Sequence, residues 1–189
     1  MRIVGGRWRG RRLAPVGKGD AAARLRPTAD RVREAMFNAL THGPDAVDLD
    51  GLRVLDVFAG TGALGFEALS RGAAEATFIE SGRPALALLR ANADLLGAEA
   101  RIHARDALRP GPGSPHDLIF LDPPYGKGLG EKAVAMLLRE GWIAPDAFIV
   151  WEEAARPALP VGWDRLDERR YGDTLVTFAR AGIQDRAGA

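Results

Sequence analysis

Apolar and polar positions along the chain alternate in two distinct rhythms. Val32, Met36 and Leu40 recur every four residues while Arg31, Arg33 and Glu34 are charged, which predicts an amphipathic helix of about a dozen residues. Thr28 is placed as its N-cap, with Asp30 in the first turn to complement the helix dipole. From residue 52 onward, short apolar runs and helical patterns take turns. Strands are predicted over 53–58, 75–80, 101–104, 117–121 and 147–152, and helices over 63–70, 84–96 and 129–139. Pro84 suits a helical first turn. Two closing strand-like runs, 163–171 and 174–179, are split by Gly172-Asp173, a two-residue hairpin signal. Near the start, Ile3-Val4 and Arg11-Arg12-Leu13 flank a glycine-rich turn, which predicts a small hairpin. Residues 15–27 read as an irregular connection. The predicted class is α/β: a mainly parallel, doubly wound sheet with an antiparallel edge. Ligands of such sheets bind beyond the carboxyl ends of the strands, so the chemical residues should follow strands directly.

Composition narrows the class. The 189 residues suit one α/β domain with a short appendage, and 47% hydrophobic residues can fill a core. The expected division is a basic N-terminal extension over 1–27 and the main domain over 28–189. There is no cysteine, and the three histidines, His42, His103 and His116, are too dispersed for a metal site. No apolar run is long enough to span a membrane, and the first ten residues lack a signal peptide's apolar stretch. A soluble, cytoplasmic, metal-free protein is expected.

Charge is unevenly distributed. Residues 1–33 carry ten basic side chains against Asp20 and Asp30, a surplus of eight, so the net charge of +1 leaves −7 on the rest. A basic arm on an acidic body is the footprint of a polyanion partner. Trp8 lies among arginines and glycines, where an exposed indole would serve for stacking on a base. The expected contacts are Arg2, Arg7, Trp8, Arg9, Arg11, Arg12, Arg26 and Arg31.

The first strand runs into Asp56-Val-Phe58-Ala59-Gly60-Thr61-Gly62-Ala-Leu-Gly65, and Glu80 ends the next strand 24 residues after Asp56. The glycine spacing alone fits a dinucleotide site with Glu80 on a ribose. Asp56 argues against it, because a carboxylate there repels a pyrophosphate but attracts the ammonium and sulfonium of S-adenosylmethionine. The glycines of the loop that also holds Ala59 and Thr61 then let the backbone approach the cofactor, and Glu80 accepts from the ribose hydroxyls. Asp106, beside Ala107 after the third strand, is placed to accept from the adenine amine or, alternatively, to cap a short turn.

Asp122-Pro123-Pro124-Tyr125 follows the most apolar strand. Two prolines fix the backbone and remove two donors, leaving the Asp122 carboxylate and the Pro123 carbonyl as rigid acceptors. An aromatic exocyclic amine has donors to offer but a poorly nucleophilic lone pair. Two acceptors can hold its hydrogens and aim that lone pair, while Tyr125 stacks on the unstacked base.

These motifs, together with Arg2-Ile-Val-Gly-Gly-Arg-Trp-Arg-Gly-Arg-Arg-Leu13, Arg26-Pro-Thr-Ala-Asp-Arg-Val-Arg-Glu-Ala-Met-Phe-Asn38 and Glu67-Ala-Leu-Ser-Arg-Gly72, resemble the RsmD family of bacterial 16S rRNA guanine-N2 methyltransferases. The resemblance spans nearly the whole chain. It implies a Rossmann-like class I methyltransferase fold with a seven-stranded, mostly parallel sheet, S-adenosyl-L-methionine as donor, and a guanine of small-subunit ribosomal RNA as target. Its cofactor loop falls on Asp56, Phe58, Gly60 and Gly62, its ribose acid on Glu80, and its catalytic tetrad on Asp122 to Tyr125. Relatives often carry an acid where this chain has Gly82. The competing readings are an adenine-N6 methyltransferase on DNA or another RNA, a non-catalytic RNA-binding assembly factor, and a nicotinamide oxidoreductase.

Overall fold

The computed structural model describes residues 1–15 and 30–182. Thr28, Arg26 and the connection beyond residue 15 lie outside the described residues. The elements run α1 (Asp30–His42), β1 (Arg53–Val57), α2 (Ala63–Ser70), β2 (Glu75–Glu80), α3 (Arg83–Leu96), β3 (Ala100–Ala104), β4 (His116–Leu121), α4 (Leu129–Arg139), β5 (Ile143–Glu153), β6 (Asp164–Tyr171) and β7 (Thr174–Arg180). They form one seven-stranded sheet in the order β3-β2-β1-β4-β5-β7-β6. Strands β1 to β5 pair in parallel, and β7 runs antiparallel to both β5 and β6. Chain order reverses between β1 and β4, which opens a crevice at their carboxyl ends.

The central strands are continuously apolar because both of their faces are covered. Val54, Phe120 and Val150 point to one side, where α1, α2 and α3 pack through Phe37, Phe66 and Leu89. Leu55, Ile119 and Ile149 point to the other, against Val134 and Leu137 of α4. Gly172, at φ +61, makes the tight β6–β7 turn, with Tyr171 paired to Thr174. Strand β5 begins four residues earlier than the sequence predicts. The register slips beside Pro145-Asp146, with Asp146 at φ +58, and that irregularity hides the strand from a periodicity reading.

Two expectations fail on α1 and the arm. The helical spacing puts Arg33 on the polar face, yet it is 0% exposed alongside Met36, Phe37 and Leu40. Trp8 is 8% exposed and belongs to the same apolar cluster as Ile3 and Leu13, so it offers no free indole face. The predicted hairpin is present with a minimal ladder. Arg2 bridges Arg12, and the Ile3 N–H donates to the Arg11 carbonyl at 2.9 Å. A 3-10 turn over Gly6–Trp8 closes it. Gly6, at φ +70, sits against the end of α2, where a Cβ would fall 1.7 Å from the Ser70 carbonyl oxygen. Residues 1–15 therefore share the domain's core.

Candidate active site

The β1–α2 turn is built on close backbone packing. Gly62 has φ +76, a backbone that L side chains rarely adopt, and a Cβ there would also press on Leu89 Cδ1 at 2.3 Å, where α3 packs on the turn. Phe58 adopts φ +60, a left-handed conformation that costs a non-glycine residue roughly 1–2 kcal/mol and that only an over-determined loop retains. Glu80 ties this turn to the next. One carboxylate oxygen accepts the Gly60 N–H at 2.8 Å, and the other accepts the Ser81 and Gly82 N–H groups at 2.8 and 2.6 Å. Ala59 and Thr61 are buried within the loop, and Phe58 is partly exposed.

Asp56 is 2% exposed, and its Oδ2 accepts the Gly65 N–H at 2.9 Å. Burial drives its carboxyl well above the usual range, and the charges of Asp122 and Glu80 push the same way against the Gly65 hydrogen bond. One oxygen thus bonds the first turn of α2, as the capping reading of Asp56 has it, and the carboxyl group stands among other acids. Asp106 is exposed and its Oδ1 accepts the Leu108 N–H at 2.9 Å, which is the turn-capping geometry; Ala107 is buried in the core.

The Asp122–Tyr125 segment leaves β4 beside this turn. The Asp122 N–H points to the Val57 carbonyl at 3.4 Å, joining the ends of β4 and β1. Burial, reinforced by the Glu153 carboxylate, pushes the Asp122 carboxyl to about 7. Pro123 is buried and Pro124 exposed. Tyr125 is partly buried, and its hydroxyl shares a 3.0 Å hydrogen bond with Thr174 Oγ1 at the start of β7. Burial pushes that phenol up to about 12, the Thr174 bond opposing, so it is neutral at physiological pH.

Three residues at this site escape a sequence reading: Glu152 and Glu153 at the end of β5, and Thr174. The available signal is a pair of acids directly after the apolar run 147–151, both of them buried in the fold. Glu153 accepts the Gly126 N–H at 3.2 Å, directly after the tetrad.

The arm flanks α2 and α3. Arg2, Arg7, Arg9, Arg11, Arg12 and Arg31 are exposed; Arg26 lies outside the described residues. Arg7 lays its guanidinium 4.2 Å over the buried Trp8 ring, and Arg11 donates to the Leu95 carbonyl at 3.3 Å. Asn92 of α3 links the arm to the glycine turn. It accepts the Ala14 N–H at 2.7 Å and donates to the Thr61 carbonyl at 2.9 Å. Among the described residues no cluster of three or more side chains is suited to a metal, and no helix is long and apolar enough to cross a membrane.

Known proteins resemble this chain over nearly its whole length. The family model described as "Conserved hypothetical protein 95" matches residues 1–180. "Ribosomal RNA small subunit methyltransferase D" of Escherichia coli (strain K12) is 43% identical over 195 residues, covering 100% of this chain and 94% of that protein. Its namesake in Haemophilus influenzae is 38% identical over 181 residues, covering 91% of this chain and 89% of that protein. The solved structure of "Putative methyltransferase yhhF from Escherichia coli" superposes with a TM-score of 0.83 at 38% identity, over 97% of this chain and 99% of that one. The sheet described above is thus the Rossmann-like sheet of methyltransferases, with its antiparallel strands at the C-terminal edge.

Proposed function

The chain belongs to the RsmD family, and on that premise we propose that it transfers a methyl group from S-adenosyl-L-methionine to the exocyclic N2 amine of a guanine in small-subunit ribosomal RNA. One observation carries the reading. The acceptor-rich, proline-stiffened Asp122–Tyr125 turn stands next to the Asp56 glycine turn across the β1–β4 crevice.

The residues fit this donor. Asp56 and Asp122 are carboxylates held in low-dielectric surroundings near other acids, a place where a bound cation relieves repulsion. The same acids would repel the pyrophosphate of a dinucleotide. When bound, S-adenosylmethionine supplies an electrophilic methyl carbon. Asp56 and the turn from Phe58 to Gly62 would hold it, with Glu80 toward its ribose and Ala107 and Asp106 near its adenine. Glu80 already accepts three backbone N–H groups, and a carboxylate has about four acceptor positions, so one position is left for a ribose hydroxyl and accepting from both hydroxyls would displace one N–H.

The chemistry left to the protein is orientation and proton removal. Guanine N1 and N2 hydrogens present two parallel donors, which the Asp122 carboxylate can accept together, with the Pro123 carbonyl taking the second N2 hydrogen. That turns the amine lone pair toward the methyl carbon, and alignment is the main source of rate. Tyr125 supplies a stacking face whose hydroxyl end is tethered. Asp122, at about 7 before any cation binds, can then accept the proton that the methylated amine must lose. The exposed arginines of the arm would grip phosphates of the rRNA, in an assembled or partly assembled small subunit.

The test is incubation with labelled S-adenosylmethionine and small ribosomal subunits lacking the modification, followed by mass spectrometry of RNA digests. N2-methylguanosine is expected. N6-methyladenosine, or no incorporation at all, would overturn the assignment.

A further inference from the structure

We infer that Glu153 is a positioning residue of the active site, gripping the turn that follows the tetrad through the Gly126 N–H and setting the charge that surrounds Asp122. The inference rests on the methyl-transfer reading for its consequence, but its geometry is independent of the substrate. In the parallel β4–β5 pair Leu121 lies opposite Trp151, so Asp122 and the Glu152-Glu153 pair emerge from the same edge of the sheet. Glu153 is only 8% exposed, and its Oε1 accepts the Gly126 N–H at 3.2 Å and the Ala154 N–H at 3.1 Å.

That grip falls where the turn has few handles. Pro123 and Pro124 offer no N–H, so the backbone just after β4 lacks two of the donors by which a turn is normally tied down. Tyr125 is instead held from both sides. Its hydroxyl meets Thr174 of β7, and the amide after it meets Glu153 of β5. Glu153 pairs with Leu175, the residue next to Thr174, so the two anchors sit on adjacent, paired strands.

A neutral amide acceptor would satisfy both N–H groups without placing a second carboxylate near Asp122. Keeping a carboxylate there costs stability, and active sites are where such costs persist. The groups facing this cluster are Asp56 of β1, with Glu80 of β2 behind it, Tyr125 on the turn itself, and Glu152 and Glu153 of β5. Glu153 is the charge that acts most on Asp122, supporting its proton-accepting range near neutrality.

Two substitutions separate grip from charge in the full-length protein, using labelled S-adenosylmethionine, unmodified small subunits and kcat measured against pH. Glu153→Gln keeps the acceptor and removes the charge. Its plateau should stay near that of the parent while the acidic limb moves down by about one pH unit, making it the faster enzyme in mild acid. Glu153→Ala removes both and should lose roughly 10- to 100-fold in kcat with the affinity for S-adenosylhomocysteine maintained. An unmoved acidic limb in Glu153→Gln overturns the inference, as does a parental plateau in Glu153→Ala. If Glu153→Ala fails to fold, the glutamine variant alone decides. A carboxyl NMR titration of Asp122, assigned with Asp122→Asn, reads the same downward shift without turnover. It therefore decides the matter even if the parent transfers no methyl group.

Discussion

Arg33 of α1 and Glu67 of α2 form an ion pair of 3.5 Å with both side chains fully buried. The pair is the hub of a network rather than an isolated contact. Glu67 also accepts the Val4 N–H at 2.9 Å and the Arg71 Nε–H at 2.8 Å, and Arg33 donates to the Arg2 carbonyl and to Asp30. Through it the arm, α1 and the helix that opens the candidate cofactor site are fastened together.

Removing Glu67 leaves the buried Arg33, among the described residues, with the partly exposed Asp30 as counter-charge, and takes the acceptor from the Val4 N–H and from Arg71. We expect Glu67→Ala to destabilise the fold by about 3–5 kcal/mol, measured by urea denaturation. A loss below about 1 kcal/mol would place the network in the class of solvated surface pairs.

Asn92 joins Ala14 to Thr61, so the arm and the glycine turn should not be independent. Asn92→Asp keeps an acceptor for Ala14 but faces the Thr61 carbonyl with an oxygen. Weaker S-adenosylhomocysteine binding, by roughly 5- to 100-fold in calorimetry, is expected from the unmet carbonyl and the added repulsion. Parental affinity in this variant would show that the turn holds its shape without the arm.

Asp122 carries opposite signs for activity and stability. Its folded value, about 7, lies above the ordinary carboxylate range near 4, so the folded state favours the protonated form. That contribution is complete below about pH 4 and fades as pH rises through about 7. Asp122→Asn cannot ionise, and it should raise Tm over the parent more at pH 8 than at pH 5 while abolishing methyl transfer. Equal Tm differences at the two pH values would contradict the buried-acid account, and surviving turnover would remove Asp122 from the chemistry.

The arm should contact RNA through charge and not through its tryptophan. Charge reversal of Arg7, Arg9 and Arg11 is expected to weaken rRNA binding. It should also flatten the plot of log affinity against log salt by about 0.7–0.9 for each phosphate that no longer has a cationic partner. Trp8→Ala, by contrast, opens a cavity in the core and should cost about 3–5 kcal/mol of stability. A salt slope untouched by the triple reversal would assign the polyanion footprint elsewhere.

Local pattern was enough for most of the architecture and for both motif-bearing turns. The apolar runs over β1, β2 and β4, the helical spacing in α2 and α4 and the Gly172-Asp173 turn are signals between near neighbours, and neighbours set them in the fold as well. Doubly wound topology then puts the Asp56 and Asp122 turns on one edge, because both follow parallel strands. What no local pattern contains is the partner a polar side chain meets across the fold. Arg33 reads as solvated until Glu67 is brought beside it, and Trp8 reads as a stacking surface until Ser70 and the core close over it. Glu153, Thr174 and Asn92 are ordinary residues in sequence, and each acquires a role only through a contact 27 to 78 residues away. Hydrophobic periodicity is a property of a segment, whereas the cost of a buried charge or amide depends on what surrounds it, and only the assembled sheet and helices specify that.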